Sequence, residues 1–318
     1  IIVFCNNFFM QKNDIEKKTN QYKYIFFTVF AGVLWGIISI FLKGLNKAGI
    51  SSVEIVAIRA IISSAILFFY FLIKDKRLLK IQFKDIWMFI GTGVLSLTFF
   101  SLCYFKTILE CGVSVAVILL YTSPIFILLF SLFLFNEKLN LKKIIALVLT
   151  FLGCILISGL SGESKVTMKG FLIGLGSGLG YGLYSIFSRY ALKKYSSLTV
   201  TFYTFVFSGI SLIPVINFSK VFEIMNFEIL FFMLGISIFC TVLPYIFYTF
   251  GLSGLETGAA AIFVTIEPLV ATLIGFILYK EELTVTKICG IIFIFAAVIL
   301  LSAKSRRRTS IDNRDTNK

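Results

Sequence analysis

The sequence predicts an all-α polytopic membrane protein whose ten transmembrane helices form two inverted five-helix repeats. The first observation behind this prediction is composition: of 318 residues, 58% are hydrophobic and only 14% are charged. Water-soluble domains contain roughly 45–50% apolar and about 25% charged residues. The second observation is the length of the apolar runs. The third is a similarity between the two halves of the chain.

Charge clusters and Gly, Asn or Ser residues separate the apolar runs. Each run is about twenty residues long, which a helix needs to cross roughly 30 Å of hydrocarbon. No linker exceeds about a dozen residues, so we expect no separate soluble domain. The predicted spans are residues 24–45, 53–73, 86–105, 113–135, 142–160, 169–190, 198–217, 228–250, 257–279 and 284–303.

Lys and Arg residues are unevenly distributed between the two sides of the predicted spans. One side, which contains both termini, receives twenty-one of them and the other receives eight. Because basic loops stay in the cytoplasm, the bias predicts a multi-pass protein of the cell membrane with both termini cytoplasmic. The predicted segments are a cytoplasmic N-terminal segment at 1–23, repeats at 24–160 and 169–303, and a basic cytoplasmic tail at 304–318.

Two stretches of the first half align with stretches of the second. Residues 31–43, AGVLWGIISIFLK, align with 177–189, SGLGYGLYSIFSR, and residues 123–139, SPIFILLFSLFLFNEKL, align with 267–283, EPLVATLIGFILYKEEL. A duplicated unit of five helices enters the membrane from opposite sides in its two copies, because five is odd. Inverted repeats of this kind are typical of secondary transporters, whose substrate site lies between the repeats.

Composition also excludes several classes of site. The chain has no histidine, which removes imidazole as a base or metal ligand, and its six cysteines are scattered without a CxxC pair. We therefore expect no metal site and no cofactor. The net charge of +14 is explained by membrane orientation rather than by nucleic-acid binding. Residues 1–9 do not form a convincing signal peptide, and Met10 is the expected start of translation.

Two stretches, PIFILLFSLFLFNEKL and EPLVATLIGFILYKEEL, occupy equivalent places in the two halves. Each contains a proline in the fourth helix of its half, followed by an acidic-Leu loop. With ten helices in two repeats, the chain resembles the EamA-type branch of the drug/metabolite transporter superfamily over about residues 24–303. The resemblance implies a central cavity lined mainly by helices 1, 3, 4, 6, 8 and 9. It also implies export or exchange of small metabolites such as amino acids by alternating access. Unlike the small multidrug exporters, this chain has no acid in its first helix, FFTVFAGVLWGIISIF.

Arg59 is the only arginine deep inside a predicted span. It lies too far from either end to reach water easily, so we expect it to face the bundle interior. Two interpretations stay open. Arg59 either ties its helix to neighbouring helix ends or contacts a substrate or gate.

Glu267 lies about ten residues into its span, immediately before Pro268. Ala271 and Gly275 follow it at spacings of four, so its side of the helix is packed or faces a cavity. Glu267 is either a substrate-binding or protonatable carboxylate, or a residue at a kink that a hydroxyl or Arg59 satisfies. Pro268 and its counterpart Pro124 are the predicted helix hinges.

Further candidates come from aligned positions of the two halves. We assign to substrate binding or gating the aromatic pairs Trp35 with Tyr181 and Tyr104 with Tyr248, and Ser123, which aligns with Glu267; simple packing is the alternative for the aromatics. Helix packing is the expected role of the stripe Gly170, Gly174, Gly178 and Gly182. Glu137 and Glu281 are expected to be solvated caps of the helices that follow them.

These features favour a non-enzymatic secondary transporter of a small polar metabolite, acting as an exporter or exchanger. The alternatives are a transporter of nucleotide sugars, sugar phosphates or drugs, a channel, and an intramembrane lipid-handling enzyme. The expected partners are a small-molecule substrate and the lipid bilayer, with no nucleic acid, and a homodimer stays open.

Overall fold

The computed structural model describes residues 21–158 and 166–302. Within these residues ten helices are long and apolar enough to cross a membrane, which confirms the all-α prediction. They are α1 (Gln21–Lys47), α2 (Ser52–Lys74), α3 (Phe83–Cys111), α4 (Val113–Phe135), α5 (Leu141–Ser158), α6 (Met168–Ala191), α7 (Ser197–Val215), α8 (Phe227–Gly254), α9 (Thr257–Tyr279) and α10 (Val285–Ser302). Met10, the expected start of translation, lies outside the described residues, as do most of the two predicted terminal segments.

The predicted bounds differ from the observed ones most clearly in α3. The prediction ended this span at residue 105, but the helix continues through Lys106 and Glu110 to Cys111. These two side chains form an i,i+4 ion pair of 3.7 Å at the helix end. The helix ends where Gly112 adopts a φ of +85°, a conformation that glycine reaches without steric cost.

Two faces of the bundle are defined by the loops. The terminal face carries Gln21, Ser302 and the loops at 75–82, 136–140 and 192–196; the distal face carries the loops at 48–51, 216–226 and 280–284. Contacts between loops agree with this grouping. On the terminal face, the backbone N–H of Gln82 donates to the Tyr195 hydroxyl at 3.0 Å. On the distal face, the Lys220 ammonium donates to the Gly49 carbonyl at 2.6 Å.

The helices of the two repeats deviate from α-helical geometry at equivalent places. A π-helical stretch occurs in α3 at Gly91–Thr98 and in α8 at Ile238–Val242. Helix α4 is interrupted before Ser123–Phe135, where Pro124 lies in the first turn, and α9 is interrupted by a 3₁₀ turn at Val264–Ile266. Such irregularities leave backbone N–H and C=O groups without their helical partners, and inside a membrane bundle neighbouring helices satisfy these groups.

Each interrupted helix packs against the first helix of the other repeat. A Cβ atom placed on Gly32 of α1 would lie 2.6 Å from the Val264 carbonyl oxygen in α9, and one placed on Gly178 of α6 would lie 2.6 Å from the Leu119 carbonyl oxygen in α4. Only glycine permits so close an approach. The two equivalent contacts, α1 on α9 and α6 on α4, hold the repeats together.

The predicted glycine stripe lies where α6 contacts α3 and α4. Gly170 faces Cys111, Gly174 faces Leu119, and a Cβ atom on Gly182 would lie 3.1 Å from the side chain of Ile127. Helices α5 and α10 pack on each other through Gly153 and Gly290, whose Cβ atoms would meet the partner's carbonyl oxygen at 2.9 and 2.7 Å.

Candidate functional site

A cavity of about 180 Å³ lies at the centre of the bundle. Its walls are mostly apolar or aromatic and contain two charged groups. The lining residues are Trp35, Ile38, Leu42, Ile55, Val56, Arg59, Phe100, Ser101, Tyr104, Phe105, Leu120, Tyr181, Ile236, Tyr245 and Glu267. These belong to the six helices that the resemblance implied and also to α2.

The cavity lies on the distal side of the membrane midplane. Leu42, Ile55 and Phe105 of its lining all belong to the distal halves of their helices. Towards the terminal face the bundle is filled by a cluster of buried residues that includes Phe71, Phe202 and Leu252. The cavity therefore lies nearer the distal face than the terminal face.

Arg59 enters the cavity from α2, the helix that the resemblance did not include. Ser51 caps the start of the helix, and its side chain and that of Glu54 form a capping box. Ile55 and Arg59 are four residues apart and share a helix face, so both line the cavity. Arg59 is only 7% exposed, and no described side chain or carbonyl lies within hydrogen-bonding or ion-pairing distance of it.

Glu267 enters from the break in α9. The 3₁₀ turn that ends at Ile266 precedes it, and Pro268 follows in the first turn of the next helical segment. The Tyr181 hydroxyl lies 3.5 Å from the Glu267 Oε2 atom and donates to it. Arg59 and Glu267 line the same cavity, yet no ion pair joins them in the described part of the chain. The cavity thus offers one cationic and one anionic group.

Aromatic rings form the floor of the cavity on the side of the terminal face. The Trp35 ring centroid lies 5.2 Å from that of Tyr245, 5.6 Å from that of Tyr248 and 6.4 Å from that of Tyr181. Beneath them, the hydroxyls of Tyr248 and Ser185 form a 2.7 Å hydrogen bond between α8 and α6. Sequence reasoning named three of these rings and missed Tyr245.

The predicted site residues do not all line the same cavity. Trp35, Tyr104, Tyr181 and the two charged residues line the main cavity. Tyr248 lies instead at a void of about 10 Å³ below it, and Ser123 is buried at the α4 break, near Gly182 of α6. The alignment of Ser123 with Glu267 thus pairs a buried hydroxyl with a carboxylate in the cavity.

Two polar contacts join helix ends at the terminal face, one within the second repeat and one between the repeats. The Arg189 guanidinium of α6 donates to the carbonyls of Leu252 and Leu255 at the end of α8, the latter at 3.0 Å. The Glu137 carboxylate accepts the backbone N–H groups of Thr257 at 2.6 Å and Gly258 at 3.2 Å, at the start of α9. The first contact joins α6 to α8 within the second repeat, and the second holds the start of α9 against the first repeat.

The expectation that Glu137 is a solvated cap of the following helix is wrong. Its carboxylate is buried and binds the start of α9, a helix distant in sequence. Sequence reasoning missed this role because the partner N–H groups belong to the other repeat. The available signal was the matched spacing of Glu137 and Lys143 in one half and Glu281 and Lys287 in the other.

Comparison with known proteins identifies the family of this chain. The EamA-like transporter family matches residues 22–159 and again residues 168–303. An uncharacterized transporter of Archaeoglobus fulgidus is 29% identical over 198 residues, covering 62% of this chain and 70% of the relative. The uncharacterized transporter YxxF of Bacillus subtilis is 24% identical over 287 residues, covering 89% of this chain and 90% of the relative.

A solved crystal structure supports the fold. It superposes with a TM-score of 0.75 at 15% sequence identity, covering 87% of this chain and 95% of its own. Together, the two family matches cover both five-helix units that the repeated breaks and glycine contacts define. This chain is a membrane transporter that belongs to the EamA-like transporter family.

Proposed function

We propose that this chain is a secondary transporter that moves a small polar metabolite, an amino acid or a similar compound, across the cell membrane by alternating access. It acts as an exporter or exchanger and catalyses no covalent chemistry. The terminal face is cytoplasmic, because it carries most of the Lys and Arg residues. The cavity described above is the substrate site in its outward-open form.

The observation that carries the proposal is the placement of Arg59 and Glu267 on one small cavity without an ion pair between them. Charged groups inside a bundle are costly, and they are retained where they bind a substrate or line a water-filled path. A compound with a carboxylate and an amine would place its two charges against these two side chains. The aromatic walls would enclose its apolar part.

Arg59 alone would also suit a phosphate group, so sugar phosphates and nucleotide sugars form the second candidate class. Arg binds phosphate through paired hydrogen bonds. Glu267 disfavours this class, since its carboxylate in the same cavity repels a dianion. A zwitterion is therefore preferred.

The test is counterflow in proteoliposomes loaded with a panel of amino acids, sugar phosphates and nucleotide sugars. We expect saturable exchange of one compound class by the wild-type chain. Arg59→Ala and Glu267→Gln are expected to reduce it roughly tenfold or more, because each removes a charge-assisted hydrogen bond to substrate. Glu282→Gln, which removes a carboxylate from an exposed position, is the matched control and should exchange like the wild type.

The outcomes separate transport from the site assignment. Normal exchange by both variants at equal insertion would leave the transporter in place and remove Arg59 and Glu267 from its site. Exchange of phosphorylated compounds alone would favour the second class. An absence of exchange across the whole panel would count against transport of these metabolites.

A further inference from the structure

The first repeat carries a compact polar motif where α4 ends on the terminal face. Asn136 adopts a left-handed conformation with a φ of 52° and turns the chain. Glu137 follows, and the Lys143 ammonium lies 3.9 Å from its carboxylate. The same ammonium donates to the Lys138 carbonyl at 3.0 Å. The motif therefore presents a carboxylate braced by a lysine of the next helix.

The second repeat builds the same motif where α9 ends on the distal face. Lys280 has a φ of 53°, Glu281 follows, and the Lys287 ammonium lies 3.7 Å from its carboxylate. This ammonium donates to the Glu282 carbonyl at 3.1 Å. Each residue and each contact has its counterpart in the first repeat, on the opposite face of the membrane.

The two motifs differ in what they bind. The Glu137 carboxylate accepts the N–H groups of Thr257 and Gly258, and Lys143 also pairs with Glu256 at 2.5 Å. An anion at a helix N-terminus is stabilised by the free N–H groups and the helix dipole. The terminal face is closed by this contact.

Glu281 makes no such contact. By the repeat alignment its partners would be Val113 and Ser114, at the start of α4. Val113 is exposed, and within the described ranges no acceptor lies at hydrogen-bonding distance from either N–H group. Glu281 is half exposed and lies 3.9 Å from the Lys43 ammonium. The distal motif is assembled but not engaged.

A second pair of equivalent residues also differs in its contacts. Arg189 ties the end of α6 to the carbonyls of α8 on the terminal face. Its counterpart Lys43, at the end of α1, instead lies 3.3 Å from the centre of the Tyr279 ring and near Glu281. Arg189 thus joins two helices of the second repeat, whereas Lys43 reaches from the first repeat to the second and holds Glu281 beside α1.

We propose that Glu281 is the distal gate residue of this transporter and Glu137 its terminal counterpart. When the distal face closes, the Glu281 carboxylate accepts the N–H groups of Val113 and Ser114. The terminal face opens when Glu137 releases the start of α9. The inference rests on the proposed alternating-access function and names the groups that carry the switch.

The two gates are not of equal strength. Glu256, which pairs with Lys143 on the terminal face, corresponds to Gly112 on the distal face. The terminal gate thus has one carboxylate more than the distal gate. This difference favours the state with a closed terminal face and an open distal cavity.

The first test is cross-linking in a chain whose native cysteines are replaced by serine. The pair Glu281→Cys with Val113→Cys tests the distal gate, and Glu282→Cys with Val113→Cys is its negative control. Glu137→Cys with Thr257→Cys is the positive control for a closed gate. We expect the distal test pair to form its disulfide about tenfold faster than the negative control, because disulfides need Cα atoms within roughly 7 Å.

Equal rates for the distal test pair and its negative control, with rapid cross-linking of the terminal pair, would overturn the proposal. No substrate is needed for this measurement. Cross-linking without exchange of any compound in the transport panel would therefore support the gate and count against the proposed function. Exchange without distal cross-linking would support the proposed function and count against the gate.

The second test measures opening without a disulfide. Leu42→Cys, on the cavity wall, is labelled with a membrane-impermeant maleimide from the distal side. Glu137→Gln weakens the terminal gate, so it should shift the population towards the distal-closed state and slow labelling several-fold. Glu282→Gln should leave the rate unchanged. Unchanged labelling with a folded Glu137→Gln chain would contradict the gate.

Discussion

The two lysines of the repeated motif provide a comparison between buried and exposed ion pairs within one protein. Lys143 is 3% exposed and lies 3.9 Å from Glu137, whose side chain is 8% exposed. Lys287 is 25% exposed and lies 3.7 Å from Glu281, whose side chain is 50% exposed. The local sequence and the contact of each lysine with a backbone carbonyl are alike. The pairs differ in burial, and Lys143 has an additional pair with the exposed Glu256, which is expected to contribute only about 0–1 kcal/mol.

The perturbation is replacement of each lysine by methionine, which keeps most of the side-chain volume. Removing one partner of a buried pair costs about 3–5 kcal/mol because the other charge is left buried. Glu137 keeps its two backbone N–H donors, so we expect the lower end, about 3 kcal/mol, for Lys143→Met. An exposed pair contributes about 0–1 kcal/mol, so Lys287→Met should cost less than about 1 kcal/mol.

The assay is thermal unfolding of both purified variants and the wild type in the same detergent. For a large domain, 1 kcal/mol corresponds to a shift of roughly 2 °C in Tm. We therefore expect Lys143→Met to lower Tm by about 6 °C and Lys287→Met to lower it by less than about 2 °C. Equal shifts in the two variants would refute the reasoning, because they would show that burial of the Glu137 pair does not set its contribution.

Two further predictions concern packing and a buried hydrogen bond. Gly178→Ala should lose about 1–3 kcal/mol in thermal unfolding, because its Cβ would lie 2.6 Å from a carbonyl oxygen of α4; Gly176→Ala, whose nearest neighbour would be at 3.5 Å, should not lose stability. Tyr248→Phe leaves the buried Ser185 hydroxyl without its 2.7 Å partner and should cost about 1–3 kcal/mol in the same assay. Tyr70→Phe, at an exposed position, should lie within about 0.5 kcal/mol of the wild type, and a loss equal to that of Tyr248→Phe would contradict this prediction.

The candidate site could be predicted only in part. Arg59 and Glu267 were identified from sequence because a charge inside an apolar run has few permitted locations. Trp35 and Tyr181 were identified because they align, and both line the cavity. Tyr248 was identified by the same alignment but lies below the cavity floor. Alignment relates positions within the repeats, and it does not state how far each position lies from the cavity.

The fold class, the ten spans and the repeat relation were determined by the sequence alone. Apolar runs of this length have only one stable arrangement in a bilayer, since a helix satisfies its own backbone hydrogen bonds. A duplicated unit with an odd number of helices must then be inverted.

Only the tertiary structure decided which repeat-equivalent contacts are formed. Glu137 and Glu281 have the same local geometry, but one is buried against α9 and the other is half exposed. The backbone N–H partners of Glu137 belong to the opposite repeat, and the relative position of the repeats sets the distance to them. The local sequence contains the motif twice, whereas the packing of one repeat on the other decides which copy is engaged.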